Sequence, residues 1–155
     1  MDPLEQVRKA VDEVLRGQVD PATSRAGFVH LYGVANICAL LAIRRGLDPQ
    51  IAAVAGMLHD ISTYKTGDMT DHTNRSSKLA GEILTASSVF TPSDIKLICE
   101  AIRLHDEKDS IHGPLDEVLK DADVVQHYLY NPVLRANKPK HPRLVASLGE
   151  LGIKI

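Results

Sequence analysis

Histidine and aspartate stand in this chain where helical spacing calls for core residues. His30, Val34, Ile37 and Leu41 follow one another by four, three and four, so His30 points where the apolar residues point. Ile51, Val54 and Leu58 form a second stripe. His59 lies beside it in line with Ala52 and Ala55, and Asp60 follows in line with Ala53 and Gly56. Small residues on that face would let a neighbouring helix approach closely. A third stripe, Ile95, Ile98 and Ile102, leads by the same spacing to His105. A fourth, Leu115, Val118, Leu119, Ala122 and Val125, carries Asp121 and Asp123 at its middle. Four helices each bring imidazole or carboxylate towards the interior.

Buried carboxylates cost several kcal/mol unless they are paired. One account is a polar core network in which His59, Asp60, His105 and the aspartates satisfy one another. The other is a divalent cation. Lys and Arg are nearly missing from these stripes, so the obvious cationic partners are absent and the cation is the better account of the whole set. Two imidazoles and two carboxylates make a mixed nitrogen and oxygen ligand set suited to manganese, iron, cobalt, nickel or zinc. Four protein ligands leave positions open on a metal that prefers six, the mark of a catalytic site, since structural sites are closed.

The elements that must position these groups are helical throughout, and the fold class is all-α, a compact bundle of six or seven helices. Residues from about Pro3 to Arg16 form the first helix, with Gly17 as its stop. The second runs from about Ala26 to Arg45. Asp48-Pro49 reads as an N-cap followed by proline at the first helical position, opening a third helix to about Ile61. Ser62 to Thr73 reads as a loop. A fourth helix spans about Asn74 to Ser87, and Thr91-Pro92-Ser93-Asp94 caps a fifth that reaches about Asp106. Pro114 opens a sixth that must end before Pro132, and a short helix closes the chain at about Pro142 to Leu151.

The 155 residues are expected to form one domain, 1–155, with 44% apolar and 25% charged residues, ordinary values for a globular protein. Eighteen Lys and Arg against twenty Asp and Glu argue against general nucleic-acid binding, which needs a basic face. The longest nearly apolar stretch, Val34 to Ile43, falls short of the roughly 20 residues that cross a bilayer, so no membrane association is expected. The first residues lack the features of a signal peptide. Cys38 and Cys99 stand singly in helical patterns and read as reduced thiols of a cytoplasmic protein.

With these residues in place, the sequence resembles the HD-domain family of metal-dependent phosphohydrolases, an all-α superfamily. The segments that carry the resemblance are FVHLYGVANICALLA with His30, AAVAGMLHDI with His59 and Asp60, and EVLKDADVVQHY with Asp123, over about residues 28–130. Periodicity does not choose between Asp121 and Asp123. The resemblance implies that Asp123 is the ligand, with Asp121 behind it as a supporting or capping partner. It also implies two intermediate histidines that complete a second metal or bind the scissile phosphate: His72 in DHTNRSSKLAGEIL and His105 in AIRLHDEK. His112 is a solvated loop residue in this reading, and His127 and His141 are bystanders.

The resemblance implies a divalent metal cofactor, one or two ions per chain, and hydrolysis of a phosphate ester or anhydride in a small molecule of the nucleotide class. Asp60 would bridge the ions or orient the attacking water. Lys65, Lys108 and Arg75 are the cations nearest the helix ends and the candidates for holding phosphate, Lys65 with a part in catalysis. Branches acting on guanosine polyphosphates or nucleoside monophosphates carry Glu three residues after the His-Asp doublet, where this chain has Thr63. The ligand pattern is closer to the compact branch that cleaves dinucleoside polyphosphates. Residues 131–155 carry five basic groups and one acid, and read as a solvated surface strand. The rival reading from another class is a non-catalytic metal- and nucleotide-binding sensor or interaction module. A third is a helical interaction domain with a polar core. The oligomeric state is open, a homodimer included.

Overall fold

The computed structural model describes residues 2–132 and 141–155, and these are helical, with eight helices among them. They are α1 (Pro3–Arg16), α2 (Pro21–Arg45), α3 (Pro49–Leu58), α4 (Ile61–Thr66), α5 (His72–Ser87), α6 (Pro92–Leu104), α7 (Pro114–Tyr130) and α8 (Pro142–Glu150). The all-α bundle expected from the periodicity is present, and its helix starts follow the caps. The Thr91 hydroxyl accepts from Asp94 N–H while the Asp94 carboxylate accepts from Thr91 N–H, the reciprocal pair expected there. Asp48 caps α3 by accepting from Gln50 and Ile51.

Several boundaries differ from the sequence reading. Helix α2 begins at Pro21, because Asp20 accepts from the N–H groups of Ala22 and Thr23 and Pro21 presets the first turn. The third helix stops at Leu58, short of Ile61, and Ser62 to Thr66, expected in a loop, form with Ile61 the short helix α4, which Gly67 ends in the left-handed conformation at φ 71°. His72, placed in the same loop, is instead the first residue of α5.

The core joins Val7, Val11 and Leu15 of α1 to the inward faces of α2, α3, α5, α6 and α7. The tightest crossing lies between α2 and α3. A Cβ added at Gly56 would stand 2.7 Å from Ala35 Cα and 2.8 Å from Ala35 N, so these backbones meet without side chains between them. This is the close approach expected from the small residues of α3, and it brings His30 on α2 to His59 at the end of α3. Helix α2 is the one among the described residues long and apolar enough, by length and composition, to cross a membrane. Its inward face, from Gly27 through His30 to Ala42, is buried in the protein. Leu144 and Leu148 of α8 pack on Val125 of α7 as a small second cluster.

Candidate metal centre

His59 caps the C-terminal end of α3, and His105 does the same for α6. In each case the ring turns back along its own helix. The His59 Nδ1–H donates to Gly56 O at 2.8 Å, and the His105 Nδ1–H to Ile102 O at 2.7 Å. His30 Nδ1–H donates to the Gln126 side-chain oxygen at 2.7 Å. These bonds fix the tautomers and leave the Nε2 lone pairs facing a common centre. His30 Nε2 and His59 Nε2 lie 3.1 Å apart.

Asp60, between α3 and α4, reaches into this cluster with both oxygens. Its Oδ2 lies 3.4 Å from His30 Nε2 and 3.3 Å from His59 Nε2. Its Oδ1 lies 3.6 Å from His72 Nε2 and 3.4 Å from His105 Nε2. Asp123 Oδ1 is 3.7 Å from both His30 and His59, while its Oδ2 meets Lys108 Nζ at 2.8 Å. Asp60 Oδ1 and Asp123 Oδ1 are buried without any hydrogen-bond partner. Orphaned carboxylate oxygens aimed at imidazole lone pairs are costly unless positive charge lies between them, so the residues fit a divalent cation.

The protonation pattern carries the same message. Burial pushes the Asp60 carboxyl up, but the close imidazoles of His59, His105 and His30 outweigh it and hold it well below the usual range. Burial likewise acts against Asp123, which the close His127 imidazole and the charges of His59 and Lys108 hold down. For His30 and His105, burial lowers the imidazole, but the Asp60 carboxylate beside each reverses the balance and raises it.

Three groups have their ligand atoms within 4.8 Å of one another: His30, His59 and Asp60; His30, Asp123 and His127; and Asp60, His72 and His105. The six residues expected as ligands therefore come together, from five helices and the turn after α3. Lys108 joins them through Asp123. Lys65 and Arg75 do not. They line a separate hollow of about 290 Å³ with Ser62 and Lys78, and Arg75 is held by Asp68 at 2.6 Å.

Sequence reasoning missed four features. His127, read as a bystander, has its Nε2 3.2 Å from Asp123 Oδ1 and its ring 5.0 Å from that of His30. The signal was present, because His127 is one helical turn beyond Asp123. His141, also read as a bystander, lines the mouth with Asp106, Lys108 and His127. His112 is not a freely solvated loop side chain, since its Nδ1 accepts from Lys120 Nζ at 2.6 Å. The cationic partners thought absent do exist. Asp121 accepts from Arg45 at 2.7 Å and from Arg143 at 2.9 Å, one at the end of α2 and the other on α8. Arg143 also donates to Glu117 and to the carbonyls of Lys108 and Ser110, so it anchors the loop that carries Lys108. The solvated strand expected of the tail does not describe Arg143. Arg135, Lys138 and Lys140 lie outside the described residues.

Asp121 thus serves the arginines and not the imidazoles, and the two aspartates of α7 should separate cleanly on mutation. Asp121→Asn is expected to hold metal as the wild type does while losing about 1–3 kcal/mol of stability, the cost of weakening buried charged bonds. Asp123→Asn is expected to lose metal and, compared with wild type in excess chelator, to differ little in stability. Element analysis and thermal melts of the two variants check this; reversed results would put the wrong aspartate at the centre.

Two hollows open on the cluster. One of about 430 Å³ holds Lys108, His72, His105 and His141. The other, of about 320 Å³, is walled by Tyr64, Tyr130, Met69 and Ala26, with Gln126 and Thr63 as polar groups beside His30, Asp60 and His127. Thr63 Oγ1 is buried there without a partner. In the comparison with known families, the one described as HD domain matches residues 27–128. Nothing among curated proteins or solved structures matches the chain.

Proposed function

From the premise that the chain belongs to the HD-domain family, whose members are generally metal-dependent hydrolases, we propose that it cleaves a phosphate ester or anhydride of a small molecule of the nucleotide class. The observation that carries the proposal is the Asp60 carboxylate, whose two oxygens each face a different pair of imidazoles. His30, His59, Asp60 and Asp123 would hold one divalent ion, and Asp60, His72 and His105 a second. Such ions lower the pKa of a bound water and polarise a phosphoryl oxygen.

The chain's own residues do the rest. Gly56 O, Ile102 O and Gln126 orient the three buried imidazoles through their Nδ1–H bonds. Asp60 is placed to align an attacking water. Lys108, beside Asp123 in the larger hollow, offers a cation to the substrate's phosphate. The smaller hollow supplies aromatic walls and two polar groups for the organic part. At about 320 Å³ it stands at the low end for small-molecule sites, with room for one nucleoside-sized group.

A panel of phosphorylated metabolites, with Mn²⁺ added to protein purified without chelator, is expected to give phosphate release that EDTA abolishes. Bound metal with no turnover on any member of the panel would favour the sensor reading, which Thr63 at the usual glutamate position supports. Protein that takes up no metal at all would leave only the polar-core reading.

A further inference from the structure

The chain contains the tripeptide Leu-His-Asp twice, as Leu58-His59-Asp60 and Leu104-His105-Asp106. Both copies sit at the C-terminal end of a helix, with near-equal backbone angles at the histidine: φ −59° and ψ −34° at His59, φ −64° and ψ −23° at His105. In both, the ring bonds the carbonyl three residues back, so the aspartate that follows leaves its helix in the same direction relative to the imidazole. The first copy supplies the bridging carboxylate. In the second copy His105 belongs to the second group of imidazoles, and the aspartate has no role so far.

Its geometry supplies one. Asp106 Oδ2 lies 3.2 Å from His72 Nε2, and Oδ1 lies 3.5 Å from His105 Nε2. One carboxylate thus addresses both imidazoles of the second group, the same two that the buried Asp60 Oδ1 faces. Its one Lys or Arg neighbour among the described residues, Lys108, stands 3.5 Å away and makes its shorter ion pair with Asp123 at 2.8 Å. Asp106 is therefore not consumed by a competing salt bridge.

We propose that Asp106 is a direct ligand of the second ion, completing with Asp60, His72 and His105 a set of two imidazoles and two carboxylates. This rests on the two-ion reading above and deepens it. With Asp106 included, the second set has the same donors as the first, His30, His59, Asp60 and Asp123, with Asp60 shared between them. An intermediate divalent ion such as manganese, iron, cobalt or zinc suits both. The sets differ in access. The Asp123 side chain is 5% exposed and that of Asp106 52%, so the first ion is enclosed and the second exchanges with solvent.

The test is a binding measurement and needs no substrate. Metal-stripped full-length wild type, Asp106→Asn and Asp106→Glu are titrated with Mn²⁺, free ion being followed by electron paramagnetic resonance. Circular dichroism checks that the helices are retained, as an exposed side chain predicts. The wild type should bind two ions, one tightly and one more weakly. Asp106→Asn should keep the tight step and weaken the other by more than the roughly 10–100-fold typical of outer-shell changes. Asp106→Glu should recover part of the loss. Two unchanged steps in Asp106→Asn would overturn the assignment while leaving the two-ion centre standing. A single step in the wild type would overturn both. The expected binding pattern without hydrolysis of any phosphorylated compound would sink the phosphohydrolase reading and leave Asp106 a ligand.

Discussion

Asp60→Ala protein is expected to emerge from purification without metal and without phosphohydrolase activity, its helices intact. The side chain faces His30 and His59 with one oxygen and His72 and His105 with the other, so a single truncation removes a ligand from both halves of the centre. A loss in turnover of at least about 10³-fold corresponds to about 4 kcal/mol of barrier at 1.36 kcal/mol per tenfold. The fold does not depend on this carboxylate. Asp60 stands at the N-terminus of α4 but makes no side-chain capping bond there. Its burial is a cost to the folded chain that neighbouring charge must offset. Element analysis beside a phosphate-release assay decides the matter, and Asp60→Ala with full metal content and full activity would end the metal-hydrolase reading.

A larger effect on stability is expected at Gly56, which never touches the centre. All three nearest atoms to a Cβ at this position are backbone: Ala35 Cα at 2.7 Å, Ala35 N at 2.8 Å and Val34 C at 3.1 Å. No side chain can rotate away, so α2 must move as a body. Gly56→Ala gains about 1 kcal/mol of helix propensity against an overpacking cost of about 1–3 kcal/mol. Gly56→Val adds two more methyl groups and loses most of that propensity gain. It is expected to melt at least several degrees lower, since 1 kcal/mol shifts the midpoint by roughly 2–4 °C at this size. Because the same crossing holds His30 Nε2 3.1 Å from His59 Nε2, metal should weaken in step. Gly56→Val that melts with the wild type and holds its ions would show that the crossing adapts.

The stripes that placed His30, His59, His105 and Asp123 inward were legible because an amphipathic helix repeats its environment every three or four residues. The same rule, carried one turn beyond Asp123, reaches His127. The start of α2 was equally open to reading, since Asp20-Pro21 is the same signal as Asp48-Pro49. Helix α4 was not. Its residues ISTYKT carry no apolar stripe, and its helicity comes from Ile61 and Ser62 being buried against the bundle. The partners of Asp121 lay beyond any spacing argument, because Arg45 and Arg143 reach it from 76 and 22 residues away. Periodicity tells which way a side chain faces. It does not tell which side chains from the rest of the chain arrive there, and this is why Lys65 and Arg75, as near in sequence as Lys108, sit round another hollow.

The candidate ligands of the centre are scattered from residue 30 to residue 123, on helices that meet only in the folded chain. An ion held by them is thus a reversible cross-link, tying distant stretches of polypeptide as a disulfide would, but formed only in the native state. In the unfolded ensemble the same groups are far apart, and gathering them costs the loop-closure entropy of long segments. Stability then becomes a function of free-ion concentration. An ion at a hundred times its Kd adds about 2.7 kcal/mol, and each further tenfold adds about 1.4 kcal/mol. If the proposed centre binds its ions, a chelator is expected to act on this protein as a mild denaturant, lowering its melting temperature as it empties the site.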